Sequence, residues 1–383
     1  MSGRRGRKPP IPLSVLTGFL GAGKTTLLNR LLSDPLLAGT AVIVNEFGEV
    51  GLDHLLVGKA DEGIVELSSG CLCCTIRGEL VGTLEDLLRA VDNGRLERLD
   101  RVVIETTGLA DPAPVLQSVL LHPYLSIRYA LDGVVTLLDA VNGAGTFARH
   151  IEAARQVAVA DRIVLSKSDL VDPAPAIAAA RRLNPTAPIL DAAKGEAMPA
   201  RLLGVAPFTT EGKIDEVALW LAETADDGHG HHDHGHHHDG HGHHHEHHHH
   251  DVSRHDERIR SFVARRSAPL RVAALEAFLA GAIRDYGPEM LRIKGLVNTP
   301  DEPERPLLVQ AAQRVLHPPE RLPHWPGADR TSVLVFIVQD MSEAASRDLA
   351  DSFAGMPSPD RASLEATADN PLAISGFSGR FAG

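Results

Sequence analysis

Two groups of chemically capable residues lie close together near the start of the chain. Residues 18–26, Gly-Phe-Leu-Gly-Ala-Gly-Lys-Thr-Thr, have the G-x-x-x-x-G-K-T spacing of a phosphate-binding loop. Residues 70–74, Gly-Cys-Leu-Cys-Cys, hold all three cysteines of the chain. Because thiolates are strong ligands for soft and borderline metal ions, this pairing predicts that a nucleotide controls the binding of a metal ion.

The phosphate-binding loop follows an apolar segment and leads into a segment of good helix formers, which is the context that the motif requires. Backbone N–H groups in such a loop surround phosphate oxygens, and the helix N-terminus adds positive potential. We expect Lys24 to contact the β and γ phosphates, with a catalytic role, and the Thr25 hydroxyl to bind Mg²⁺. The other phosphate-binding residues predicted here are Gly18, Gly21, Ala22, Gly23 and Thr26.

Glu105 ends the apolar stretch 102–105 and is followed closely by Gly108. In nucleotide hydrolases, an acid at a strand end orients the Mg²⁺ shell or the attacking water. A glycine just after it lets the backbone follow the γ-phosphate. We therefore predict that Glu105 is catalytic and that Gly108 binds nucleotide.

Ser166, Lys167 and Asp169 follow another apolar stretch, 162–165. They are similar to the guanine-specificity motif of GTPases, with serine in place of the usual asparagine. The Asp169 carboxylate can accept hydrogen bonds from N1 and N2 of guanine, two donors that adenine does not offer. The predicted nucleotide is therefore GTP.

Cys71 and Cys74 have the C-x-x-C spacing that lets two thiolates bind one ion within a turn. With Cys73 they favour Zn²⁺ or Cu⁺, or Co²⁺ with some oxygen or nitrogen ligation, and leave one position open for exchange. Glu46 and Glu49 lie between the two motifs, where we expect contact with Mg²⁺, water or the transported ion; Glu46 is the catalytic candidate and Glu49 the metal ligand. A redox pair and buried structural cysteines are the alternatives.

Composition limits the partners and the compartment. A formal net charge of −12 argues against nucleic acid, whose binding depends on Lys and Arg. The sequence contains no apolar stretch of the length that would predict a membrane span. Clustered cysteines cannot form a distributed disulfide framework, so we expect a cytoplasmic protein with free thiols. The oligomeric state is left open.

The predicted fold is α/β: a doubly wound, mostly parallel P-loop NTPase sheet in residues 11–225, followed by a smaller α+β domain in residues 257–360. Short apolar segments alternate with helix-like segments, as a sheet covered by helices on both faces requires. In the first part, strands are predicted at 13–17, 41–44, 64–67, 102–104, 134–138, 162–165 and 188–190, and a helix at 77–90. In the second part, strands are predicted at 291–297, 307–311 and 333–338, and helices at 272–283 and 343–353. Residues 1–10 form a basic tail and 361–383 a second tail.

A His-rich linker is predicted at residues 226–256, with fifteen histidines between His229 and His250. Such a segment cannot bury a core and is expected to be disordered. Neutral imidazoles bind divalent ions weakly, and protons compete for them as the pH falls through about 6.5. The linker is therefore interpreted as a collecting arm for metal ions.

Residues 18–26, 45–53, 70–74, 105–112 and 166–169, together with the His-rich connector, resemble the CobW-type P-loop GTPases. Residues 291–296 also look like the C-terminal domain of that family. The resemblance implies GTP hydrolysis coupled to delivery of Zn²⁺ or Co²⁺ to client metalloproteins, with the cysteine segment as the metal site.

The leading hypothesis is a GTP-hydrolysing metallochaperone that binds its metal ion in a nucleotide-dependent way. One alternative is a zinc buffer or storage protein with a vestigial nucleotide site. Another is a P-loop kinase acting on a small molecule, although nothing in the sequence specifies an acceptor pocket.

Overall fold

The computed structural model describes residues 9–45, 64–66, 73–203, 258–317 and 319–357. These residues form a seven-stranded parallel sheet and a six-stranded antiparallel sheet. The predicted fold class is confirmed, with a parallel P-loop sheet followed by a separate α+β unit. The predicted linker 226–256 and tail 361–383 lie outside the described residues, as do residues 1–8.

The parallel sheet contains all seven strands that the sequence predicts, in the order β3-β2-β4-β1-β5-β6-β7. In such a sheet the carboxyl ends of the strands share one edge, where ligands bind. The phosphate-binding loop follows the central strand and therefore lies between the ends of its neighbours. The strands are β1 (Ile11–Gly18), β2 (Thr40–Asn45), β3 (Ile64–Glu66), β4 (Arg101–Thr106), β5 (Tyr129–Asp139), β6 (Arg162–Ser166) and β7 (Ile189–Asp191).

Helices cover both faces of this sheet, as a doubly wound fold requires. On one face Leu80 and Leu84 pack in the same buried cluster as Ile104, and on the other Leu28 packs with Val103. The helices are α1 (Lys24–Leu32), α2 (Cys73–Asp92), α3 (Ala113–Leu120), α4 (Leu125–Arg128), α5 (Gly143–Arg149), α6 (Ile151–Ala158), α7 (Ala174–Leu183) and α8 (Pro199–Leu202), with a 3₁₀ turn at Pro35–Leu37.

Two elements of the parallel-sheet unit begin at least four residues before their predicted positions. Helix α2 begins at Cys73 rather than at residue 77, so two of the three cysteines are in its first turn. Strand β5 begins at Tyr129 rather than at residue 134, because it continues across a bulge: Leu13 pairs with Leu131, and Ser14 pairs with Gly133. A bulge interrupts the apolar run that marked the strand.

The antiparallel sheet has the order β11-β10-β9-β13-β8, with β12 paired to β10. All strands predicted here are present, but β8, β11 and β12 were not predicted. The sequence of β8, Ile-Arg-Ser-Phe-Val-Ala-Arg-Arg, lacks a clear apolar period, and β11 and β12 have only two residues each. Both predicted helices are present. The elements are β8 (Ile259–Arg266), α9 (Val272–Tyr286), β9 (Met290–Val297), β10 (Leu307–Ala312), β11 (Val315–Leu316), β12 (Glu320–Arg321), β13 (Ser332–Gln339) and α10 (Glu343–Ala354).

One face of the antiparallel sheet packs on α9 and α10, where Leu279 and Phe353 are buried with Phe336. Residues of the other face, including Ile337, belong to the same buried cluster as Ala154 of α6. The two sheets therefore share a packed interface at α6. Across the described residues, no helix combines the length and the apolar character needed to cross a membrane.

Candidate functional site

The backbone of the phosphate-binding loop depends on glycine. Gly18, Gly21 and Gly23 have φ angles of +142°, +72° and +95°, a region that other residues rarely adopt. A Cβ atom at Gly18 would also lie 2.7 Å from the carbonyl oxygen of Leu137 on the neighbouring strand. The motif glycines are therefore required by the turn itself, before any ligand is considered.

Lys24 begins helix α1 and is buried, with 9% of its surface exposed. Its ammonium group donates to the carbonyl oxygens of Gly18 at 2.8 Å and Phe19 at 3.3 Å. These bonds hold the positive charge inside the loop at the positive end of the helix dipole. Such a place favours an anion.

Thr25 and Glu105 meet at the carboxyl edge of the sheet. The Thr25 hydroxyl donates to Glu105 Oε1 at 3.3 Å, and Glu105 is 5% exposed at the end of β4. The next residue, Thr106, donates its hydroxyl to that of Thr17 on β1 at 2.8 Å. The structure thus brings together the two side chains predicted to act on Mg²⁺, whereas Thr26 is exposed on the first turn of α1.

Gly108 lies where the loop after β4 packs directly on the phosphate-binding loop. A Cβ atom at Gly108 would lie 2.6 Å from the backbone nitrogen of Leu20 and 2.8 Å from its Cα. Only a residue without a side chain permits this approach. A movement of the loop after β4 would therefore displace the phosphate-binding loop.

Ser166 ties the end of β6 to the phosphate-binding loop. Its hydroxyl contacts the carbonyl oxygens of Ala22 at 2.8 Å and Leu138 at 3.3 Å. The shorter serine thus still reaches the loop at the position where asparagine is usual. Asp169, predicted to bind guanine, is exposed three residues later.

Asp139, at the end of β5, was missed by the sequence interpretation. Lys167 has a left-handed backbone, with φ of +56°, and its ammonium group pairs with the Asp139 carboxylate at 2.7 Å. Burial alone would raise the pKa of Asp139, but hydrogen bonds from Lys167, Asn142 and the Val141 N–H outweigh it and hold the pKa below its ordinary value. The sequence did contain a signal for Asp139, because a carboxylate directly after an apolar strand is the same pattern that identified Glu105.

Asp191, at the end of β7, was also missed. It accepts a hydrogen bond from the Ser168 hydroxyl and a second from the backbone N–H of Ala193 at 3.0 Å. Burial raises the pKa of Asp191, but these bonds, together with those from the Lys194 side chain and backbone, outweigh that effect and hold the pKa below its ordinary value. The 166–169 segment is therefore held from two sides, by the ends of β5 and β7.

The residues predicted to bind the transported metal are placed only in part. Glu46, Glu49 and Cys71 lie outside the described residues, and Cys73 and Cys74 are described as the first two residues of α2. Within the described ranges, no group of three or more His, Cys, Asp or Glu side chains is arranged to hold a metal ion.

The chain matches two family descriptions in succession. Residues 12–191 match "CobW/HypB/UreG, nucleotide-binding domain", and residues 259–354 match "Cobalamin synthesis protein cobW C-terminal domain". These ranges correspond to the parallel sheet and to the antiparallel sheet described above.

Similar proteins extend over nearly the whole chain. It is 33% identical to the zinc chaperone YjiA of Escherichia coli, covering 91% of this chain and 99% of that protein. It is 31% identical to the zinc chaperone CobW of a Sinorhizobium species, covering 91% and 98% respectively. The crystal structure of the Zn(II)-bound YjiA GTPase from E. coli superposes with a TM-score of 0.59 at 26% identity, covering 90% of this chain and 99% of that one. The chain therefore belongs to the CobW family of P-loop GTPases.

Proposed function

We propose that this protein is a GTP-hydrolysing metallochaperone that binds Zn²⁺ or Co²⁺ in a nucleotide-dependent way and transfers it to a client metalloprotein in the cytoplasm. The register of the parallel sheet carries this proposal. Val44 of β2 lies opposite Glu66 of β3 on one side and opposite Glu105 of β4 on the other. Neighbouring strands lie about 4.8 Å apart, so the backbone of Glu66, which precedes the cysteine segment in sequence, is only about 10 Å from the strand that bears Glu105.

The nucleotide side of the site fits a triphosphate with Mg²⁺. A hydroxyl and a carboxylate at 3.3 Å, Thr25 Oγ1 and Glu105 Oε1, are the hard oxygen ligands that Mg²⁺ prefers. Bound there, Mg²⁺ supplies charge neutralisation at the β and γ phosphates. The chain itself positions the phosphates through Lys24 and the backbone of Gly18, Gly21, Ala22, Gly23 and Thr26, and Gly108 allows close approach to the γ-phosphate. Glu46 is proposed to orient the attacking water.

Guanine selection is assigned to Ser166, Lys167 and Asp169. Ser166 fixes the segment to the phosphate-binding loop through Ala22, and the Lys167–Asp139 pair holds the lysine stem in place. The exposed Asp169 carboxylate can then accept from N1 and N2 of guanine. Both anchors support a base-binding role for this segment.

The metal side is assigned to Cys71, Cys73, Cys74 and Glu49. Soft thiolates suit Zn²⁺, which the names of the E. coli and Sinorhizobium relatives also give. The first turn of α2, where Cys73 and Cys74 lie, is the positive end of a 20-residue helix and favours thiolates over thiols.

The proposed coupling needs little energy. A hundredfold difference in metal affinity between the GTP and GDP states corresponds to about 2.7 kcal/mol. Gain or loss of one carboxylate or thiolate ligand can supply that difference. The short path from β4 through β2 to β3 gives a physical route for it.

The experiment is a zinc competition titration on the wild-type protein and on C71S/C73S/C74S, each with a non-hydrolysable GTP analogue or with GDP. We expect one tight, nucleotide-sensitive site in the wild type and none in the triple variant. A deletion of residues 228–250 is the matched control, because it removes weak histidine sites and leaves the tight site intact. Loss of the tight site in the deletion, or its retention in the triple variant, would favour a zinc buffer instead.

A further inference from the structure

Gln156, on helix α6, is a buried polar residue that none of the roles above uses. It is 1% exposed, and its side-chain amide donates to the carbonyl oxygens of Gly108 at 3.1 Å and Ala110 at 3.0 Å. Its own backbone carbonyl accepts from the Thr136 hydroxyl of β5 at 2.7 Å. One side chain thus ties α6 to the loop that follows Glu105.

That loop is in direct contact with the phosphate-binding loop, since Gly108 leaves no room for a Cβ atom against Leu20. A change at the phosphates that displaces either loop must stretch or break the two bonds from Gln156. The side chain is buried in close-packed surroundings, so it has little room to follow the loop unless α6 also moves.

The last turn of α6 and the residues just after it contact the antiparallel sheet. Arg155, in that turn, also lies 3.7 Å from the Asp111 carboxylate of the loop after β4. Arg155 Nε donates to Gln339 Oε1, at the end of β13, at 2.6 Å. Just after the helix, the carbonyl oxygen of Val159 accepts from Arg292 Nη1 of β9 at 2.8 Å, and Arg292 also pairs with Asp161. Helix α6 is therefore bonded to the loop after β4, through Gln156 and Arg155, and to the second sheet, through Arg155 and the Val159 carbonyl.

Two polar atoms at this contact, within the part of the chain that the structure describes, are buried without a hydrogen-bond partner. The side-chain oxygen of Gln156 and the hydroxyl of Thr107 are both buried, and neither has a hydrogen-bond partner among the described residues. A buried polar atom without a partner disfavours the conformation that contains it.

We propose that Gln156 is a positioning residue through which the nucleotide state, read by the loop 107–111, is transmitted along α6 to β9 and β13 of the C-terminal domain. This inference deepens the proposed function and rests on it for the identity of the nucleotide. It does not depend on the metal site. The C-terminal domain is then the output element of the GTPase cycle.

The test measures the affinities of a GTP analogue and of GDP in the absence of metal ions. In Gln156→Met, which keeps the side-chain volume and removes the donors, the ratio of the two affinities is expected to change about five- to tenfold. Gln339→Ala should change the ratio in the same direction, and the double variant should be non-additive, as for two members of one path. Gln117→Ala is the matched control, because it removes a 2.8 Å bond to Gln313 that joins α3 to the second sheet without involving α6.

A merely structural role for Gln156 predicts equal weakening of both nucleotides and additive effects, and either result would overturn the proposal. If Gln156→Met does not fold, hydrogen exchange in the wild type decides. The backbone N–H groups of Gln339 and Asp340 donate to the carbonyl oxygens of Glu289 and Arg258, and they should exchange at different rates with the GTP analogue and with GDP. Equal rates would reject the relay, whereas equal zinc affinities in the two nucleotide states would reject only the proposed metal coupling.

Discussion

Replacing Gly108 with alanine tests the contact between the loop after β4 and the phosphate-binding loop. The added Cβ atom would lie 2.6 Å from the Leu20 nitrogen and 2.8 Å from its Cα. Ordinary contacts of this kind are about 3.5–4.0 Å, so one backbone segment must move by about 1 Å. The Leu20 side chain is 58% exposed and can turn away, but its backbone cannot.

Overpacking of this kind costs about 1–3 kcal/mol. We expect the cost to appear as weaker binding of a GTP analogue, by about 5- to 150-fold, because every 1.4 kcal/mol is a tenfold change. GDP, which lacks the γ-phosphate, should be affected much less. Gly82→Ala is the matched control: a Cβ atom there meets nothing within 4 Å, and alanine should stabilise α2 by up to about 1 kcal/mol.

The assay is isothermal titration of both nucleotides on both variants, with urea unfolding as a check on stability. Unchanged binding and unchanged stability in Gly108→Ala would refute the close approach of the two loops. Equal losses for GTP analogue and GDP would refute the assignment of Gly108 to the γ-phosphate.

Three further changes address stability and guanine binding. Arg292→Met removes the guanidinium that pairs with Asp161, and we expect urea unfolding to show a loss of about 3–5 kcal/mol, partly restored by adding Asp161→Asn; a loss below about 1 kcal/mol would contradict a stabilising pair. Arg258 lowers the pKa of Asp340 to about 2. The contribution of this ion pair to folding stability is therefore complete above pH ~4 and is lost as the pH falls toward 2. Because the pair is half-exposed, D340N should cost less than about 1 kcal/mol at pH 7, and this difference should shrink in urea melts at pH 2.5; a constant difference would contradict the ion pair. Ser166→Ala should weaken GTP and GDP alike by about fivefold in fluorescent-nucleotide titrations, the effect of one hydrogen bond, and wild-type affinity would show that the bond to Ala22 contributes nothing.

The sequence predicted what local chemistry determines. Gly18 and Gly23 are glycines because the loop requires positive φ angles, and the motif specifies glycine at both positions. Apolar runs gave every strand of the parallel sheet, because strands covered on both faces must be apolar along their length.

Contacts between distant segments had no such local signal. Gln156 lies 48 residues from Gly108, and Arg292 lies 131 residues from Asp161. Nothing in the local sequence distinguishes a buried glutamine from an exposed one, so only the fold reveals the hydrogen-bond partners of Gln156. The start of α2 was misplaced for a related reason, since the helical apolar period becomes visible only after the cysteines.

The proposed function depends on thermodynamic linkage between the nucleotide site and the metal site. The most direct measurement is a closed cycle: zinc affinity with a GTP analogue and with GDP, and the affinities of both nucleotides with and without zinc. Linkage requires that two factors be equal: the ratio of the zinc affinities with the GTP analogue and with GDP, and the change that zinc causes in the ratio of the two nucleotide affinities. We predict that both factors are about 100. A zinc affinity that is the same in both nucleotide states would contradict the proposed linkage.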